Sequence, residues 1–109
     1  MAEFYFNYDP PMLGWNESEI VSADIKTGKD LYCKYLCIGF MITTGQTVYH
    51  NIILKHHNSF AESMGYNELK NIIDIFGGAI DDTSMMIGKR LSVNVIKDGD
   101  FLAIKTLRK

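Results

Sequence analysis

Five residues carry side chains that bind metals or act as acid, base or nucleophile near neutral pH: Cys33, Cys37, His50, His56 and His57. Cysteines four residues apart would meet on a helix. On an extended strand the same spacing separates them by about 13 Å, too far for a disulfide or a shared zinc ion. His56 and His57 end the segment TVYHNIILKHH, and neighbouring side chains on a strand leave on opposite faces, so the two rings do not share an ion. The only carboxylate close to them in sequence is Glu62. IGKRL contains Gly-Lys, but a phosphate loop needs a second glycine five residues earlier and a hydroxyl after the lysine, where this chain has Arg90. The thiols are therefore expected to be free and without metal, and the histidines to be surface or capping side chains. Gly88 reads as a turn glycine, and no catalytic residue, metal site or cofactor is expected.

The remaining polar chemistry is cationic. The net charge is −2, but it is segmented. Residues 1–24 carry Glu3, Asp9, Glu17, Glu19 and Asp24 with no base, whereas residues 25–58 carry Lys26, Lys29, Lys34 and Lys55 against Asp30 alone. Residues 59–82 are acidic again, and residues 83–109 are basic, with Lys89 and Arg90 at their start. The basic segments coincide with apolar alternation, so a basic sheet face is one expectation and a mixed solvated surface the other.

The elements that must position these groups follow from periodicity. The chain of 109 residues, 47% hydrophobic and 22% charged, has the make-up of a single globular domain. It contains neither the roughly 18-residue apolar run of a membrane helix nor a signal peptide, so a cytoplasmic protein with no membrane partner is expected. Residues 1–17 read as an aromatic arm or short strand, with Phe4, Phe6 and Tyr8 on one face before Pro10-Pro11. Residues 18–107 read as the folded body. A first strand runs around Ile20–Ile25 to the turn KTGKD, and a second runs through LYCKYLCIGFMITT, residues 31–44. TTGQ turns into a third, TVYHNIIL. Ser59 and Glu62 suggest a capping box for a helix whose apolar residues Leu69, Ile72, Ile73 and Phe76 end at Gly77-Gly78, with Gly65 and Asn67 able to split it in two. KRLSVNVI and FLAIKTLRK form a second hairpin.

Three strands, a helix and two strands suggest a mainly β fold: a five-stranded OB-type Greek-key barrel with a helical segment between strands 3 and 4. An open α+β sheet with the helix across one face has the same strands. The second strand is apolar on both faces, unlike a strand with one wet side. Leu36, Ile38, Phe40 and Ile42 suit the interior, which leaves Tyr35, Cys37 and Met41 outside, beside Tyr49 and Asn51 of the third strand. On an OB-type barrel this face binds oligonucleotides, with aromatic rings stacking on bases and cations holding phosphates. Lys26, Lys29, Lys34, Tyr35, Tyr49, Asn51, Lys89 and Arg90 are the expected nucleic-acid-binding residues. The same face could instead pack under the N-terminal arm, pair two copies as a homodimer or bind another protein.

KTGKDLYCKYLCIGFMI, GQTVYHNIIL, LKNIIDIFGG and the acidic loop leading into MIGKRLSVNVI resemble, in residue class and order over residues 20–97, small phage-encoded single-stranded DNA-binding proteins. The resemblance implies an OB-type fold, a role in phage or mobile-element replication or recombination, a location in the host cytoplasm, and single-stranded DNA as partner with a host or phage replication protein as a second. The chain ends in KTLRK where many such proteins carry an acidic tail, which argues against recruitment of host proteins through such a tail. The alternative from another class is a protein-interaction module, such as a phage-encoded inhibitor of a host protein, using the same apolar strand face.

Overall fold

The computed structural model describes residues 13–78, 82–99 and 101–108, so the expected pairing of Phe4, Phe6 and Tyr8 lies outside the described residues. Among the described residues there are five strands: β1 (Gly14–Thr27), β2 (Lys34–Ile42), β3 (Thr47–Lys55), β4 (Arg90–Asp98) and β5 (Phe101–Arg108). One helix, α1 (Ser59–Ile75), lies between β3 and β4 and is followed by a 3-10 turn at Thr83–Met86. The protein is mainly β, with one antiparallel sheet in the order β3-β2-β1-β4-β5. The sheet is open: β3 and β5 are its edges and do not pair with each other.

β1 is longer than its alternation suggests, beginning at Gly14 and so taking in residues assigned to the arm. Its first half pairs with β4 and its second half with β2, and a register shift between Ile20 and Ser22 bends it between the two. A bulge of this kind turns the strand and increases its twist, so one strand can serve both hairpins. β2 is shorter than expected. Leu31 adopts a left-handed conformation (φ 64°), and the Asp30 carboxylate accepts the N–H groups of Tyr32 and Cys33, which makes residues 28–33 a loop. Leu31 and Cys33 therefore precede the strand instead of belonging to it.

The even residues of β2 fill the interior. Leu36, Ile38, Phe40 and Ile42 are buried with Ile20, Val48, Ile52, Leu91, Val93, Val95 and Ile104. α1 covers this face through Ile72, with Leu69, Ile75 and Phe76 packed around it, and Met86 of the 3-10 turn enters the same core. The helix is continuous through Gly65 and Asn67. Its N-cap is Asn58, one residue before the expected Ser59: the Asn58 side-chain oxygen Oδ1 accepts the N–H groups of Phe60 and Ala61 at 2.8 and 3.1 Å. Glu62 reaches back to the N–H of His56 at 3.1 Å. At the other end Gly78 N–H donates to Ile73 O and Gly77 N–H to Asp74 O, with both glycines at positive φ, so the expected glycine stop is a Schellman ending.

Candidate nucleic-acid interface

The outer face of the sheet is laid out in cross-strand rows. Ile53, Tyr35 and Lys26 form one, then Asn51, Cys37 and Asp24, then Tyr49, Gly39 and Ser22, and last Thr47, Met41, Glu19 and Arg90. Rows two residues apart along a strand are about 6.6 Å apart, so Tyr35 and the Tyr49 row are separated by about 13 Å. Tyr49 is 61% exposed. Its ring edge covers Gly39, where an ideal Cβ would sit 3.0 Å from it and 2.5 Å from Ser22 Oγ. The doubly apolar character of β2 thus has two causes: its even residues fill the core, while on the outer side Cys37 is buried and Gly39 lies beneath Tyr49, Ser22 and Thr47. Tyr35 is half-buried, and desolvation, reinforced by nearby Cys33, pushes its phenol above the ordinary value.

The expected binding residues fall into three groups. Lys26, Tyr35, Asn51, Tyr49 and Arg90 share the outer face. Lys29 and Lys34 lie at the β1–β2 loop end, where Lys34 Nζ donates to Thr27 Oγ1 at 3.3 Å. Lys89 does not join Arg90: its ammonium sits 6.0 Å from the Phe76 ring centroid at the end of α1, on the core side of the sheet. Arg90 lines a groove of about 270 Å³ with Glu17, Glu19, Met41 and Thr43. The face as a whole is not basic, because β1, the central strand, places Glu19 and Asp24 among the cations. If this face holds a phosphate backbone, Arg90→Ala should flatten the dependence of log affinity on log salt by about 0.7, the value for one phosphate on a single strand. Lys89→Ala should leave that slope unchanged. Salt titrations of oligonucleotide binding by the two variants check both.

Sequence reasoning missed three arrangements, each of which joins segments far apart in the chain. Trp15 on β1 lies under the Arg108 guanidinium at 4.0 Å, a cation–π stack at the β5 side of the sheet. His50 Nε2 is 2.9 Å from Glu68 Oε2 of α1, at the wall of a cavity of about 290 Å³ that Ile104, Lys105, Thr106 and Leu107 of β5 close from the other edge of the sheet. His57 Nε2 is 2.7 Å from Asp30 Oδ2, and its ring stacks on Tyr32 with centroids 4.5 Å apart. The Asp30 carboxyl is held far below the usual carboxylate range, first by the N–H groups of Cys33 and Tyr32 and then by His57. His56, by contrast, acts as a local cap, its Nδ1 accepting the N–H of Asn58. Cys33 and Cys37 are both free and buried. Among the described residues no buried side-chain nitrogen or oxygen lacks a hydrogen-bond partner, and no helix is long and apolar enough to cross a membrane.

The described residues define a small mainly β protein built on a five-stranded antiparallel sheet with a covering helix. Comparison with known protein families finds no match, and comparison with curated proteins finds none either.

Proposed function

We propose that this is a non-enzymatic single-stranded DNA-binding protein of OB-type architecture, acting in phage or mobile-element replication or recombination through the outer face of β2 and β3. The observation that carries the reading is the pair Tyr35 and Tyr49, which share that face about 13 Å apart, with Asn51 between them and Lys26 opposite Tyr35. Each ring offers a platform for one base, Lys26 and Arg90 on the same face would meet phosphates, and Lys29 and Lys34 would meet them at the β1–β2 loop end. The OB-type reading is supported by the strand order, by a helix inserted between β3 and β4, and by the way both sheet edges wall the cavity beside His50. Tyr35→Ala and Tyr49→Ala are each expected to weaken oligonucleotide binding by about 1–3 kcal/mol while the fold persists, the worth of one stacked base. Fluorescence anisotropy with a labelled oligonucleotide measures the affinity, and circular dichroism monitors the fold.

The second reading is a protein-interaction face, engaging another protein or a second copy. It is favoured by Glu19 and Asp24, which interrupt the cations beside exposed Met41 and Tyr49. On that reading the same tyrosine variants change molecular mass or the capture of a protein partner and leave DNA affinity untouched.

A further inference from the structure

Asp30, Cys33 and His57 bring one carboxylate oxygen, one thiol sulfur and one imidazole nitrogen within 4.8 Å of one another. They come from two loops: β1–β2 supplies Asp30 and Cys33, and the β3–α1 connection supplies His57. We infer that these three side chains form a binding site for a divalent transition metal of the zinc class, with a fourth coordination position open to water.

The donor set is the first reason. One soft thiolate, one imidazole and one carboxylate suit zinc, whereas magnesium and calcium take oxygen ligands. Spacing is the second. Tetrahedral zinc with ordinary bond lengths separates oxygen from sulfur by about 3.6 Å and nitrogen from oxygen by about 3.3 Å. Cys33 Sγ lies 3.5 Å from Asp30 Oδ2, which already fits. The Asp30–His57 contact of 2.7 Å has to open by well under an ångström.

Pre-organisation is the third reason. Asp30 Oδ1 is occupied by two backbone N–H groups at 3.0 Å, which aims Oδ2 at the other two donors. The His57 ring is held by stacking on Tyr32 at an interplanar angle of 16°, with Nε2 directed at the cluster. Such outer contacts orient ligands and tune affinity. Asp30 and Cys33 also have the two-residue separation common to ligand pairs in zinc-binding turns. Cys33 is 6% exposed, and its thiol is turned into the cluster. On binding, the thiol proton passes to solvent and the thiolate takes its place on the ion. The ion would pin the β1–β2 loop to the start of α1, and the site stands whether or not the outer face binds DNA.

The test uses the full chain, reduced, with far-ultraviolet circular dichroism as the folding control. Zinc uptake by equilibrium dialysis should reach about one ion per chain, and cobalt should give thiolate-to-metal charge-transfer absorption. Cys33→Ser should abolish the charge-transfer band, and His57→Ala, at an exposed position, should weaken zinc by at least the roughly 100-fold that loss of an outer-shell partner can reach. Cys37→Ser should bind as the parent does. No stoichiometric uptake by the parent overturns the assignment. So does a charge-transfer band that survives Cys33→Ser or disappears in Cys37→Ser.

Discussion

Phe40→Ala is expected to lose about 3–5 kcal/mol of unfolding free energy, the cost of truncating a fully buried aromatic residue. Phe40 has no exposed surface and pairs with Ile20 of β1 on one side and Val48 of β3 on the other. Truncation removes its transfer free energy and leaves a cavity that the rigid cross-strand neighbours cannot collapse to fill. Domains of this size are stable by about 5–15 kcal/mol, so the variant should sit near the edge of folding at physiological temperature. Urea denaturation reads the effect directly, with a lower midpoint and an unchanged slope if the denatured state is unaffected. The control lies next door. Tyr49, mostly exposed, should lose about 1 kcal/mol or less on truncation, and that loss arises from uncovering Gly39. If Tyr49→Ala unfolds the protein while Phe40→Ala is tolerated, the two faces of β2 have been assigned the wrong way round.

Gly65→Ala is expected to destabilise the protein by about 2–3 kcal/mol even though alanine is the better helix former by about 1 kcal/mol. Gly65 is buried where α1 crosses β3, and a Cβ there would lie 1.9 Å from Ile53 O and 2.7 Å from its carbonyl carbon. Both atoms belong to backbone held in the sheet, so no side-chain rotation relieves the clash. The helix has to move outward, loosening Ile72 in the core. The sign of the change is decisive. An exposed helix glycine would gain stability on the same substitution, so a rise in thermal midpoint would show that α1 does not sit against β3 at this residue.

The sequence determined, by itself, the strands, the helix and which parity of β2 faces inward. Leu36, Ile38, Phe40 and Ile42 alternate with residues that include Gly39, and no other assignment buries as much apolar surface on a period of two. It determined the helix ending as well, because Gly77 and Gly78 supply positive φ locally. The N-cap lies at Asn58, one residue before the expected Ser59, because both residues are competent caps and the path of the chain out of β3 decides between them.

Tertiary structure alone decided the rest. Of the two surfaces that the segmented charge allows, the outer face is the mixed one, since the strand order inserts acidic β1 between β2 and β4 and puts Glu19 and Asp24 among the cations. Strand order is a long-range property that no local spacing encodes. Lys89 and Arg90, adjacent in sequence, part company because Lys89 still belongs to the turn before β4, with its ammonium near the Phe76 ring, whereas Arg90 opens the strand and lines the outer groove. The Asp30–Cys33–His57 cluster is half legible. Asp30 binding the N–H groups two and three residues ahead is a local turn that its residue type favours. His57 joins it across 27 positions only because β2 and β3, paired antiparallel, return the chain to the same end of the sheet. Side-chain period and capping are set by neighbours within a few residues, whereas a site assembled from two loops exists only after the strands between them have paired.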